Sequence, residues 1–155
     1  MTAPNHALTG ALIGLAIANP WVALPLAFVS HFVCDAIPHY DPPEQDKAKL
    51  FRSGKFVREF LVIGAALCAL LVVVLAAVHP ANWLQASICA FLATSPDLFW
   101  IPRFVRAQRG QKPVPLRNWF LRLHAYVQWR TGPGLVWVEA VWGIACTAVL
   151  ALQLW

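Results

Sequence analysis

The chain has 155 residues, of which 59% are hydrophobic and 12% charged. The charged share is about half that of an ordinary globular protein. Together with a mean hydropathy of +0.60, it indicates a membrane domain and excludes a disordered chain, a collagen-like fibre and a disulfide scaffold. The net charge of +5 does not indicate nucleic-acid binding, because the basic residues flank apolar runs, where anionic lipid headgroups are the nearer partner.

The apolar segments predict an all-α fold in a single domain, 1–155. We expect a polytopic membrane helical bundle of about five transmembrane or half-membrane helices plus one interfacial amphipathic helix. Asn19-Pro20 separates the first two helices, because the residue before a proline avoids the helical region. The predicted helices cover roughly residues 5–18, 20–37, 55–79, 82–100, 115–130 and 134–155.

The fifth predicted helix, 115–130, differs from the others in its pattern. Its apolar residues recur at i, i+3 and i+4, and arginines lie among them, which is typical of a helix in the membrane interface. A basic loop, 103–115, precedes it. The apolar positions are Leu116, Trp119, Phe120, Leu123 and Val127.

The lysines and arginines predict the orientation in the membrane. All twelve lie between Lys47 and Arg58 or between Arg103 and Arg130. The positive-inside rule places both regions on the cytoplasmic side of a multi-pass membrane protein. The N-terminus is then cytoplasmic and the C-terminus lies outside.

The ionisable residues of the apolar segments all map to the cytoplasmic half of this topology. Each costs about 2.5–3.5 kcal/mol at the membrane centre, so we expect them to pair, line a wet cavity or bind an ion. No lysine or arginine of the apolar segments balances them, which suggests that the missing positive charge is a metal. These residues are His6, His31, Asp35, His39, Asp41, Glu59, Asp97, His124 and Glu139.

His31 and Asp35 are the sharpest local signal, because their i, i+4 spacing puts both on one helix face. An imidazole and a carboxylate one turn apart can chelate a cation, or they can be a hydrogen-bonded pair at a helix end. His6 and Asp97, on other helices, favour the metal, and Glu139 could join through the last helix.

Several of these residues also have ordinary structural interpretations. Asn5 could cap the helix that carries His6, and Ser95-Pro96-Asp97 could be a turn. His124, spaced i, i+4 from Gln128, is either on a solvated face or a ligand or general acid–base. His39 and Asp41 favour a loop, with a ligand at the helix end as the alternative, and Glu59 favours an ion pair with Lys55.

The basic loop also has two interpretations. Its arginine and lysine side chains can set the orientation of the protein in the membrane and contact anionic lipid headgroups. Alternatively, Arg103 or Arg106, close in sequence to Asp97, could orient a phosphate by bidentate contact.

Thr2-Ala3-Pro4-Asn5-His6 opens a short apolar helix, and Pro96-Asp97 closes another. In these motifs the chain resembles the family of LexA-regulated inner-membrane metal-dependent hydrolases, which are small multi-helix membrane proteins. The resemblance implies that His6 and Asp97 are metal ligands and that His31-x-x-x-Asp35 is the companion pair.

The favoured hypothesis is a membrane-embedded metal-dependent hydrolase acting on a phospholipid or other lipid (phospho)ester at the cytoplasmic headgroup level. Glu139 or His124 would be the base, and Arg103 and Arg106 would hold the substrate. Zinc is the first choice of metal, with manganese or iron as alternatives. Two other classes remain open: a membrane metal-binding or transport protein, and a non-catalytic membrane protein with a buried polar network. The expected metal ligands are His6, His31, Asp35, Asp97 and His124.

Overall fold

In the computed structural model, residues 1–41, 61–111 and 115–154 are described, and the described part is all-helical, as the sequence predicts. No strand occurs within these ranges; an isolated parallel bridge joins His39 to Thr131. A 3₁₀ turn at Pro133–Leu135 precedes the last helix. The helices are α1 (Ala3–Ala16), α2 (Pro20–Ala36), α3 (Ile63–Val78), α4 (Trp83–Leu98), α5 (Ile101–Gln108), α6 (Trp119–Val127) and α7 (Val136–Leu154).

The centre of the fold is the antiparallel pair α1 and α4. A Cβ atom at Gly14 would lie 2.5 Å from Cα of Ala86, and one at Gly10 would overlap the carbonyl of Cys89. Only glycine permits this approach, so the backbones of the two helices come into direct contact. Helices α2, α7 and α3 also pack on α1, and α6 packs on α2.

Small side chains fill most of the space between these helices. Most core residues are alanines and cysteines, and Leu75 is the largest fully buried apolar side chain. Large apolar side chains instead point outward, for example Val73 at 61%, Ile144 at 70% and Leu152 at 83% exposure. An apolar surface of this kind indicates contact with lipid or another protein.

The helices are shorter than the predicted bundle requires. Among the described residues, only α7, with 19 residues, is long and apolar enough to cross a membrane as one helix. Helices α4 and α5 together pass the same test but are bent by 46°. The apolar helices α2 and α3 have 17 and 16 residues. A polytopic, multi-pass arrangement therefore stays a prediction.

The observed helices also differ from the predicted ones at their ends. The predicted basic loop is partly helical: Pro102 lies in the first turn of α5, where its missing N–H breaks no helical hydrogen bond, and the helix continues to Gln108. Helix α6 begins only at Trp119, because the Asn118 side chain caps it by accepting a 2.9 Å hydrogen bond from the backbone of Phe120. The start of the third predicted helix, with Glu59, lies outside the described residues.

Candidate metal centre

The carboxylate of Asp35, in the last turn of α2, is the centre of a buried polar cluster. Asp35 is 2% exposed, and the side chains of His6, His31 and His124 around it are fully buried. They come from α1, α2 and α6, so the cluster forms only when these helices pack together. The two oxygens of the carboxylate face different groups.

The first oxygen, Oδ2, faces α6 and the preceding turn of α2. It lies 2.9 Å from Nε2 of His124 and 3.3 Å from Nε2 of His31. It also accepts a 2.8 Å hydrogen bond from the amide of Gln128. The Nε2 atoms of His31 and His124 are only 3.0 Å apart, so both imidazoles point at the same place.

Asp97, near the end of α4, completes this side of the cluster. Its Oδ1 atom lies 3.7 Å from Nε2 of His31 and 3.6 Å from Nε2 of His124. The ligand atoms of His31, Asp35, Asp97 and His124 all lie within 4.8 Å of one another. Ligand atoms that are each about 2.0–2.2 Å from one cation lie roughly 3–4 Å apart. This buried His/Asp group could therefore hold a metal ion. The Asp97 side chain is 36% exposed, so it opens the group toward the surface.

The second oxygen of Asp35, Oδ1, faces α1 and the segment after α2. It lies 3.1 Å from Nε2 of His6 and 4.0 Å from Nε2 of His39, and it accepts a hydrogen bond from the amino group of Met1. His6, an expected ligand, is therefore brought to Asp35 but on the opposite side from Asp97. His39, which the sequence favours as a loop residue, does follow α2 outside a helix, yet it is only 2% exposed.

Hydrogen bonds give His31 and His124 opposite tautomers. Nδ1–H of neutral His31 donates to the carbonyl of Ala93 at 2.8 Å, which leaves a lone pair on Nε2. The indole N–H of Trp100 instead donates to Nδ1 of His124 at 3.0 Å. Neutral His124 must therefore carry its proton on Nε2, where it can donate to Asp35.

Hydrogen-bond donors around the Asp35 carboxylate stabilise its ionised form. Nε2–H of His124 donates to Oδ2 at 2.9 Å, the amide of Gln128 donates to the same oxygen, and the Met1 ammonium donates to Oδ1. An ionised carboxylate beside an imidazole with a free lone pair is the protonation pattern that metal binding requires.

Glu139, one of the two expected bases, belongs to a separate polar contact between α7 and α1. Its Oε2 atom accepts hydrogen bonds from the backbone and hydroxyl of Thr2, at 3.1 and 2.9 Å, and from the amide of Asn5 at 2.7 Å. Its Oε1 atom is buried without a hydrogen-bond partner among the described residues. Asn5 thus bonds α1 to α7, and the structure leaves His124 as the base candidate that touches the cluster.

The two expected substrate-binding arginines lie on α5. The Arg103 guanidinium carbon is 5.7 Å from the centre of the Trp100 ring, whose N–H bonds to His124. Arg103 is therefore next to the cluster through one side chain, whereas Arg106 is exposed one turn further along the helix.

Three residues of the cluster are not among the site residues expected from the sequence. The sequence favours His39 as a loop residue, with a ligand only as the alternative, and singles out Gln128 only by its i, i+4 spacing from His124. His39 has the same spacing from Asp35, so spacing is a signal for both residues. Trp100 has no such signal, because only the tertiary structure brings its indole N–H to His124.

The chain was compared with protein-family models, with curated proteins and with solved structures, and none of them matches. The geometry of the Asp35 cluster is therefore the main indication of function.

Proposed function

We propose that this protein is a membrane-embedded metal-dependent hydrolase of a phospholipid or other lipid (phospho)ester. The observation that carries the proposal is the convergence of His31, Asp35, Asp97 and His124 in a largely buried position with one side open. The resemblance of the N-terminal and Pro96-Asp97 motifs to the LexA-regulated hydrolase family supports the same activity.

The tautomers divide the four residues into two roles. His31 presents a lone pair at Nε2, and Asp35 and Asp97 present carboxylate oxygens, so these three are the proposed ligands of the cation. Three protein ligands and an open position are typical of a catalytic zinc site. His124 holds its proton on Nε2 beside the same position, which suits a residue that exchanges a proton with substrate or water.

A bound divalent cation supplies a Lewis acid that polarises the ester and activates water. Hydrolysis breaks the bond between phosphorus, or the acyl carbon, and the ester oxygen. The hydroxyl of water is added to that atom, and the remaining proton goes to the leaving alcohol. His124 is the proposed carrier of this proton. A His/Asp ligand set suits zinc first, with manganese or iron as alternatives.

The surface around the cluster supports a lipid substrate. Helix α6 buries His124 but exposes Trp119 at 73% and Tyr126 at 81%, and Trp129 beyond its end is 67% exposed. Exposed aromatic rings of this kind favour the membrane–water interface. Arg103, stacked near Trp100, places a cation where a lipid phosphate would approach.

The test is metal content and metal-dependent lipid turnover of the full chain in phospholipid nanodiscs. We expect stoichiometric zinc, its loss in His31→Gln and Asp97→Asn, and lipid hydrolysis that a chelator abolishes and zinc restores. His124→Gln should keep the zinc and lose turnover. His79→Gln, in the exposed turn between α3 and α4, is the matched control that removes an imidazole far from the cluster.

The other outcomes identify the competing classes. Zinc without turnover of any lipid ester tested would favour a metal-binding or transport protein. Absence of zinc, manganese and iron from a folded wild-type chain would reduce the cluster to a structural polar network.

A further inference from the structure

We propose that the Asp35 cluster is a two-cation centre, in which Asp35 bridges a second divalent cation held by His6 and His39. This inference rests on the proposed function, because it adds a second metal to the site of the first. The first cation lies on the Oδ2 side, between His31, Asp35 and Asp97; the second lies on the Oδ1 side.

The distances on the two sides of the carboxylate are alike. Around Oδ1, the Nε2 atoms of His6 and His39 lie at 3.1 and 4.0 Å. Around Oδ2, the Nε2 atom of His31 lies at 3.3 Å. All three values fall in the range expected for two ligands of one cation, roughly 3–4 Å. Cations on the two oxygens of one carboxylate can approach the separation of about 3.5–4 Å that two-metal hydrolases use.

The His39 side chain is oriented as a metal ligand, although the residue lies outside the helices. Its Nδ1–H donates to the carbonyl of Ile37 at 2.8 Å, so Nε2 of the neutral ring presents a lone pair toward Asp35. Its backbone is held at both ends, since its N–H donates to Arg130 at 3.4 Å and its carbonyl accepts from Gly132 at 3.2 Å. These contacts bring a histidine from outside the helices into a buried position.

His6 is also able to serve as a ligand. Without a metal, Nε2–H of His6 donates to Oδ1 of Asp35 at 3.1 Å. Its Nδ1 atom is buried and has no hydrogen-bond partner among the described residues, so it is free to take up the ring proton. A cation bound at Oδ1 would replace the proton on Nε2, and the ring would then carry its proton on Nδ1.

The Oδ1 side already attracts positive charge. The amino group of Met1 donates a hydrogen bond to this oxygen and forms an ion pair with it. The ionised carboxylate thus has a cationic group on the side where we place the second metal. In the two-cation state the metal replaces this ammonium.

The experiment is a titration of the chelator-treated full chain in nanodiscs with Mn²⁺ alone, read by bound manganese per chain and by electron paramagnetic resonance. We expect two Mn²⁺ per chain and the spectrum of an exchange-coupled pair. His39→Gln and His6→Gln should each reduce the content to one and restore the spectrum of an isolated ion. His79→Gln should leave both readouts unchanged.

The wild-type result separates the two proposals. Two coupled ions support the two-cation centre. One ion per chain, with no change in His39→Gln, overturns the two-cation centre and leaves the single-metal site intact. No bound Mn²⁺ overturns the two-cation centre, and absence of zinc and iron from the same folded chain overturns the single-metal site as well. Because these counts come from the wild-type chain, they hold even if a variant fails to fold, which circular dichroism of each variant reports.

Discussion

The two ends of α1 both carry buried or half-buried polar contacts to the rest of the fold, with different chemistry. At the C-terminal end, the amide of Gln85 on α4 donates to the carbonyls of Gly14, at 3.0 Å, and Ile17. Asn82 adds a 3.5 Å hydrogen bond to Leu15. At the N-terminal end, His6 meets an ionised carboxylate and other imidazoles.

The difference shows which polar contacts are structural and which form a site. Amide donors and backbone carbonyls are neutral and complementary, so the Gln85 end satisfies the last carbonyls of α1 without any further group. At the Asp35 end, two carboxylates and several ring nitrogens face one another. A bound cation neutralises the negative charge of the carboxylates, whereas the Gln85 end offers it neither a carboxylate nor an imidazole.

Asp35→Asn should have the largest effect, because the carboxylate lies against all four histidines of the cluster. We expect affinity for Zn²⁺ or Mn²⁺ to fall by at least about 100-fold. With chelator present, unfolding should also become easier by about 3–5 kcal/mol, since the Met1 ammonium loses its buried partner. Isothermal titration and denaturant unfolding measure the two effects. Unchanged metal affinity would contradict the comparison of the two ends.

Trp100→Phe should act on turnover alone. The indole N–H orients His124, and loss of such a contact typically costs about 10–100-fold. Because Trp100 touches no proposed ligand atom, metal content should stay at the wild-type level. Metal analysis and lipid turnover of the same preparation check this. Equal loss of metal and turnover would instead make His124 a ligand.

Gln85→Leu should destabilise the fold without changing the site. It removes the donor to the carbonyls of Gly14 and Ile17, and we expect a loss of about 1–2 kcal/mol in the free energy of unfolding. Metal content should be unaffected, which is the reverse of the Asp35→Asn pattern. Loss of metal in a folded Gln85→Leu protein would show that the two ends are coupled.

The sequence by itself determined that the fold is helical and that two of the site residues, His31 and Asp35, share one helix face. Apolar runs and proline breaks predict the helices, and the i, i+4 spacing puts His31 and Asp35 on one face because 3.6 residues complete a turn. The free-energy cost of placing ionisable groups in apolar segments also indicated that His6, Asp97 and His124 belong to a common site. None of these arguments requires knowledge of how the helices pack.

Only the tertiary structure decided which groups meet. The direct contact of α1 and α4 at Gly10 and Gly14 sets the depth and rotation of α1. That rotation turns His6 toward Asp35 and Asn5 toward Glu139, so the expected base Glu139 is bonded elsewhere. Spacing along one helix reports which residues share a face, but the neighbour of that face is set by long-range packing between helices, and no local pattern records it.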